Sequence, residues 1–349
     1  MPTTMQFTTP THIGPLQPRI EHHHQLTVIG SCFADHIGGR LMRMKWRTEC
    51  NPFGVLYNPH SIAEALNALI DCRTLTGDDL VHFPDGGWNT WLHHSAYSNP
   101  DKAEALTNIN NSTQRAARHL SLTDTLVITL GTAWVYRLKE DGRIVGNCHK
   151  MPEQTFIRQR LDTADIVSEY TVLLNRLWSL NPNMRIIFTV SPVRHLKDTL
   201  HGNQLSKSTL LLAIDELCRI FPKKTHYFPA YEIVIDELRD YRFYADDMAH
   251  PSPQAVEYVW QQFVEHCIDA KAKTFMDKWS KLLRALEHRP FRPNSEQHKQ
   301  FIKQTQQKLH EMKESYPHID IHHELFLCHA EGKIERGFGY EKHISYFCE

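Results

Sequence analysis

Two short segments carry residue types that could do covalent chemistry together. In Gly30-Ser31-Cys32-Phe33-Ala34 a hydroxyl and a thiol stand side by side, where the apolar run Leu26-Thr27-Val28-Ile29 stops at a glycine and residues at helical spacing (Phe33, Ile37, Leu41) begin. A nucleophile at such a junction is exposed and lies against backbone N–H groups that have no helical partner. A thiol there, near a histidine, would be acidified and nucleophilic with little help, whereas a serine would depend on a base. The second segment is Asp247-Met248-Ala249-His250. Its three-residue offset lets a carboxylate on a turn reach the imidazole Nδ1–H, leaving Nε2 to take a proton from the nucleophile. Plainer roles compete with both segments: Ser31 as a helix cap, Cys32 as a small packing residue, Asp247 as a cap of its own loop.

The Asp-x-x-His spacing occurs four times, at Asp79/His82, Asp198/His201, Asp247/His250 and Asp320/His323, so spacing alone selects nothing. Position does. Strand candidates at 26–29, 46–50, 126–130 and 186–190, with a weaker one near Tyr227 and Phe228, alternate with helix candidates. Asp247/His250 alone follows the last strand candidate and precedes the closing helix, where Ser252 can cap and Pro253 can occupy the first turn. Such alternation predicts a parallel sheet covered on both faces, with ligands at the carboxyl ends of its strands. The expected fold is a three-layer α/β/α sandwich with about five strands in flavodoxin-like order. The expected organisation is a leader over 1–19, a catalytic domain over 20–270, and a charged, helical C-terminal extension over 271–349.

Composition narrows the function classes. Lys+Arg of 39 against Asp+Glu of 40 gives no charge argument for nucleic acid or an anionic membrane. No stretch approaches the roughly 18 apolar residues of a membrane helix, and no secretory signal is visible at the start. The 8 cysteines are scattered without a Cys-x-x-Cys pair, which reads as reduced thiols in a cytoplasm. His22, His23 and His24 stand together among 24 histidines, yet no set has zinc-ligand spacing, and neither a metal nor another cofactor is expected. Self-association through the amphipathic C-terminal helices is a further expectation.

The chain resembles the GSCFA family, a branch of the SGNH/GDSL hydrolase-like group. The motifs that carry the resemblance are GSCFA at 30–34, NPFGxxYNP at 51–59, GT at 131–132, NCHK at 147–150, SPVRH at 191–195 and DDMAHPS at 246–252. The resemblance implies a Ser- or Cys-dependent acyl-ester hydrolase, with His250 as general acid/base and Asp247 as its orienter. Acylated carbohydrate is an implied substrate. Acyl transfer to another acceptor, and a binding protein that kept the fold without catalysis, are the alternatives. Laying the glycine of the group's GDS block on Gly30 puts Cys32 at the nucleophile position, while serine is the chemistry usual for the fold; the choice between Ser31 and Cys32 stays open. The second-block glycine falls on Gly54, whose N–H would serve the oxyanion. The asparagine of the third block, GxND, is missing after Gly131, and the substitute donor is either the Thr132 hydroxyl or Asn147 or His149 from the NCHK segment. Asn51, Asn147, His149, Arg194 and His195 are candidates for substrate contact. Losing one oxyanion donor typically costs about 100- to 1000-fold in rate, so the missing asparagine matters.

Overall fold

The computed structural model describes residues 8–84, 86–288, 291–292 and 295–330. The chain after residue 330 and the prolines at 290 and 293 lie outside the described residues. Five parallel strands form the central sheet: β1 (Gln25–Gly30), β2 (Arg47–Cys50), β5 (Thr125–Leu130), β9 (Arg185–Val190) and β10 (Thr225–Tyr227), in the order β10-β9-β5-β1-β2. Numbered within the sheet alone this is 2-1-3-4-5, the flavodoxin-like order, which reverses direction between β1 and β5. The register runs Leu26–Thr125 to Gly30–Thr129 across β1 and β5, so all four long strand ends rise to one edge.

The runs of the three inner strands, β1, β5 and β9, are apolar on both faces because both faces are covered. Ile29, Leu126, Ile128, Ile186 and Phe188 point to a core shared with α2 (Pro59–Ile70), α3 (Lys102–Ser121), α4 (Thr163–Leu180) and α5 (Thr199–Ile220). Val28, Val127 and Ile187 point the other way, to α1 (Cys32–Arg43) and α7 (Pro253–Cys267), where Phe33, Leu41, Val259 and Phe263 meet them. The closing helix begins where Ser252 accepts the Ala255 N–H at 3.3 Å and Pro253 takes the first turn.

Two small antiparallel sheets interrupt the alternation. One pairs β3 (Val81–Phe83) with β4 (Gly87–Asn89); the other joins β6 (Trp134–Leu138), β7 (Ile144–Val145) and β8 (Phe156–Arg160) in the order β7-β6-β8. A short helix, α6 (Ala230–Glu232), runs into a π-turn over Ile233–Glu237. After α7 come α8 (Ala270–Glu287), α9 (Glu296–Ser315) and α10 (His322–Ala330). The apolar faces of α8 and α9 meet each other, burying Phe275, Trp279, Leu283, Leu309 and Met312 inside the chain. No described helix is long and apolar enough to cross a membrane.

Candidate active site

The turn from β1 into α1 is held by the loop after β2. Gly30 adopts φ +138°, and a Cβ there would sit 2.1 Å from the Thr129 carbonyl oxygen, so only glycine fits. Its N–H donates to Asn51 Oδ1 at 2.8 Å and its carbonyl accepts the Leu56 N–H at 3.0 Å. Asn51 Nδ2 in turn donates to Asp35 Oδ1 at 2.6 Å, one turn along α1. Further along the same loop, the Tyr57 carbonyl accepts the N–H groups of Gly131 and Thr132 at 2.8 and 3.0 Å. One loop thus ties three strand ends together and fixes where residues 31 and 32 stand.

A cleft of about 550 Å³ opens over this edge. Ser31, Cys32, Thr132, Asn147, Arg194, His195 and His250 all line it. Of the four Asp-x-x-His pairs, only Asp247/His250 stands at the cleft as a hydrogen-bonded couple. His250 Nδ1 lies 2.5 Å from Asp247 Oδ2, while Asp247 Oδ1 accepts the N–H groups of Ala249 and His250, each at 2.9 Å. These backbone donors, His250 first and then Ala249, with the imidazole added, hold the Asp247 carboxyl down at about 2, so it stays ionised. Asp198 is instead buried in an ion pair with Arg158, and Asp320 bonds His322.

The two nucleophile candidates differ in surroundings. Ser31 caps α1 without a side-chain cap bond, and its Oγ is sealed from solvent with no hydrogen-bond partner among the described residues. Cys32 is the first residue of α1, with Sγ 4.0 Å from the Tyr57 hydroxyl.

Three expected roles do not fit the geometry. The Gly54 N–H donates to the Asn51 carbonyl at 2.7 Å inside its own turn, and Gly54 does not line the cleft, so it offers nothing to an oxyanion. Glycine is required there for another reason: φ is +75° and a Cβ would meet the His94 Cβ at 2.2 Å. Asn51 is occupied on both its amide atoms by the clamp just described. His149 is buried against Phe83, ring centroids 4.0 Å apart, with Nε2 2.9 Å from the Thr90 carbonyl oxygen, outside the cleft. Thr132 does face the cleft, but its hydroxyl already accepts the Trp134 N–H at 3.1 Å and pairs with Ser206 Oγ at 3.0 Å. Asn147 uses Oδ1 to hold the His149 N–H at 2.8 Å. Burial pushes His195 down to about 3, so it is a neutral imidazole.

Several cleft residues were not foreseen. Asn58 caps α2 through Oδ1, which accepts the Ser61 N–H at 2.8 Å; it lines the cleft, and its Nδ2 takes no hydrogen bond among the described residues. Trp134, Tyr136 and Arg158 come from the antiparallel sheet β6–β8 and form the far wall. Beneath the floor lies Lys207, wholly buried, donating to the Gly131 and Ser191 carbonyls at 2.6 and 2.7 Å. Burial lowers its ammonium to about 7, and the charge of a Cys32 thiolate works against that lowering. A signal for Lys207 was present: it shares the stripe Asn203, Lys207, Leu210, Ile214, Leu217 that the helix buries.

The family model described as the GSCFA family matches residues 25–263, which take in the whole central sheet and both halves of this site. The chain belongs to the GSCFA family. A second model, the C-terminal domain of GSCFA domain proteins, matches residues 279–331. No curated protein matches the chain. Among solved structures, an acetyl xylan esterase from the rumen bacterium Butyrivibrio proteoclasticus is similar at 15% identity and a TM-score of 0.32, over 69% of this chain and 63% of that one. The chain thus spans less than two thirds of that structure's length. Among the described residues of this GSCFA protein, no group of three or more His, Cys, Asp or Glu side chains could hold a metal ion.

Proposed function

We propose that this GSCFA protein cleaves an acyl ester through a thiol nucleophile, Cys32, with His250 as general acid/base and Asp247 as its orienter. The observation that carries this reading is the Asp247–His250 couple on the wall of the cleft whose floor holds Cys32 at the first position of α1. Cys32 is preferred to Ser31 because the Ser31 hydroxyl has neither solvent exposure nor a hydrogen-bond partner to serve as its base, while Cys32 keeps 5% of its surface exposed against 1% for Ser31. The start of α1 and the buried Lys207 cation both favour a thiolate over a thiol.

In the forward half, Sγ attacks the ester carbonyl carbon, and Nε2 of His250 takes the thiol proton and returns it to the departing alcohol oxygen. A thioester on Cys32 remains. Water then attacks that carbonyl, Nε2 accepts its proton, the carboxylic acid leaves, and the proton returns to sulfur. Asp247, ionised throughout, supports the imidazolium in both halves. The tetrahedral oxygen needs donors, and the Asn58 amide takes the place of the missing third-block asparagine, beside first-turn N–H groups of α1. An acylated carbohydrate suits the Trp134 and Tyr136 wall, since sugar rings pack on aromatic faces.

The test is covalent labelling of wild type, Ser31→Ala, Cys32→Ala and His250→Ala by an iodoacetamide probe and by a fluorophosphonate, alongside hydrolysis of 4-nitrophenyl acetate. The expected result is alkylation at residue 32, lost in Cys32→Ala and slowed in His250→Ala, with esterase activity falling in both. Alkylation indifferent to His250, or activity that survives Cys32→Ala and disappears in Ser31→Ala, would refute the thiol assignment.

A further inference from the structure

The far wall of the cleft carries three cations, Arg158, Arg194 and Lys197, against a single carboxylate, Asp198. Two of the cations are engaged. Arg158 is ion-paired with Asp198 and lies 4.5 Å over the Trp134 ring, and Lys197 reaches Glu153 at 2.9 Å. No hydrogen bond or ion pair among the described residues engages the half-buried Arg194 guanidinium. The same wall is short of acceptors in general: the Trp134 Nε1–H and the Arg158 Nε–H are buried and find none.

Arg194 is also well placed relative to the chemistry. Its main-chain N–H donates to the Ala249 carbonyl at 3.3 Å, so it is pinned to the residue that precedes His250. A partly desolvated guanidinium without a counter-charge is unfavourable by itself, and its planar fork of donors matches a carboxylate or phosphate with two parallel bonds. We infer that the cleft takes an ester bearing a second, anionic group, a carboxylate or a phosphate, which Arg194 binds beside His250. The inference rests on the acyl-ester reading for its reaction but not for its binding site.

Two esters of similar length separate the effects: the 4-nitrophenyl esters of butyrate and of succinate, which differ in a terminal carboxylate. Wild type is expected to favour the succinate half-ester in kcat/KM by about tenfold or more, the worth of one charge-assisted bidentate contact. In Arg194→Gln the ratio of the two rates should collapse towards one, and Arg194→Lys should recover part of it as a point charge. Using the ratio cancels general damage to the enzyme. Equal rates in wild type, or a preference that survives Arg194→Gln, would overturn the inference. If wild type hydrolyses neither ester, the acyl-ester reading fails, and calorimetric titration with succinate and with inorganic phosphate reads the anion site directly. Binding of either that weakens about tenfold in Arg194→Gln supports it and says which oxyanion is preferred. Absent or unchanged binding of both overturns it.

Discussion

At residue 31 a hydroxyl is buried without a partner, and at residue 32 a thiol begins a helix over a buried ammonium. A buried, unsatisfied hydroxyl costs roughly 1–3 kcal/mol. Ser31→Ala is therefore expected to fold and to be as stable as wild type or more so, by up to about 1 kcal/mol, while keeping its alkylation at Cys32. Thermal melting and mass spectrometry of the labelled peptide read both effects. His250→Ala should lower turnover by about 10²–10⁴-fold, the usual worth of a positioned acid/base. Replacing Lys207 by Met removes a cation that favours the thiolate, so the pH at which Cys32 alkylates should move up; it also leaves the Gly131 and Ser191 carbonyls without their donor. An alkylation profile unmoved by Lys207→Met would show that the ammonium serves only the two strand ends. The Asp247/His250 couple was legible because its place after the last strand singled it out from four equal spacings. Lys207 was not, since a lysine in an amphipathic helix reads as solvated unless its place on the apolar stripe is followed through. The Gly54 and Asn51 roles failed for one reason: backbone and side-chain hydrogen bonds within the loop had already used their donors.

At the scale of elements, the loop from Asn51 to Asn58 fixes the site more than any strand does. It binds Gly30, Asp35, Gly131 and Thr132, then caps α2. Asn51→Ala would strand the Gly30 N–H in a buried place, costing roughly 1–3 kcal/mol, and would loosen the turn that presents Cys32. A fall in kcat with little change in KM, together with a lowered denaturation midpoint, is the expected outcome; a lowered midpoint with kcat intact would make the clamp purely structural. Three of the five parallel strands, β1, β5 and β9, could be read from apolar runs because a strand buried on both faces announces itself as continuous hydrophobics. The β6–β7–β8 sheet could not. Its strands are short, half exposed, and mix Arg137, Arg158 and Arg160 with aromatics, so neither period nor propensity marks them. Trp134, Tyr136 and Arg158, which form one wall of the cleft, were missed with it.

At the scale of the whole chain, His22 joins the C-terminal helices to the body. Its ring lies 3.7 Å from that of Phe275 on α8, Nδ1 is 2.7 Å from His318 Nε2, and Nε2 is 2.9 Å from the Met44 carbonyl oxygen. Burial lowers its pKa from 6.5 to about 4, so the neutral ring is the form this seam accepts. The unfolded chain takes up that proton near pH 6.5 and the folded chain only near 4. The stability His22 contributes is therefore complete above about pH 6.5 and is lost progressively as pH falls towards 4, to an extent on the order of 3 kcal/mol. His93 and His195, both pushed by burial to about 3, add in the same direction. Asp35, raised to about 6 by burial despite its bonds from Asn51 and Cys50, works oppositely, since the folded chain binds its proton first. The depressed histidines, which also include His24, His36, His94, His226 and His318, outweigh the raised carboxyls Asp35 and Glu232, so the melting temperature is expected to fall between pH 6.5 and 4.5. In His22→Phe, which keeps an aromatic ring against Phe275 but cannot charge, that fall should be shallower even if the variant is less stable at pH 7. An equal slope in wild type and His22→Phe would place the acid sensitivity elsewhere and leave this seam indifferent to pH.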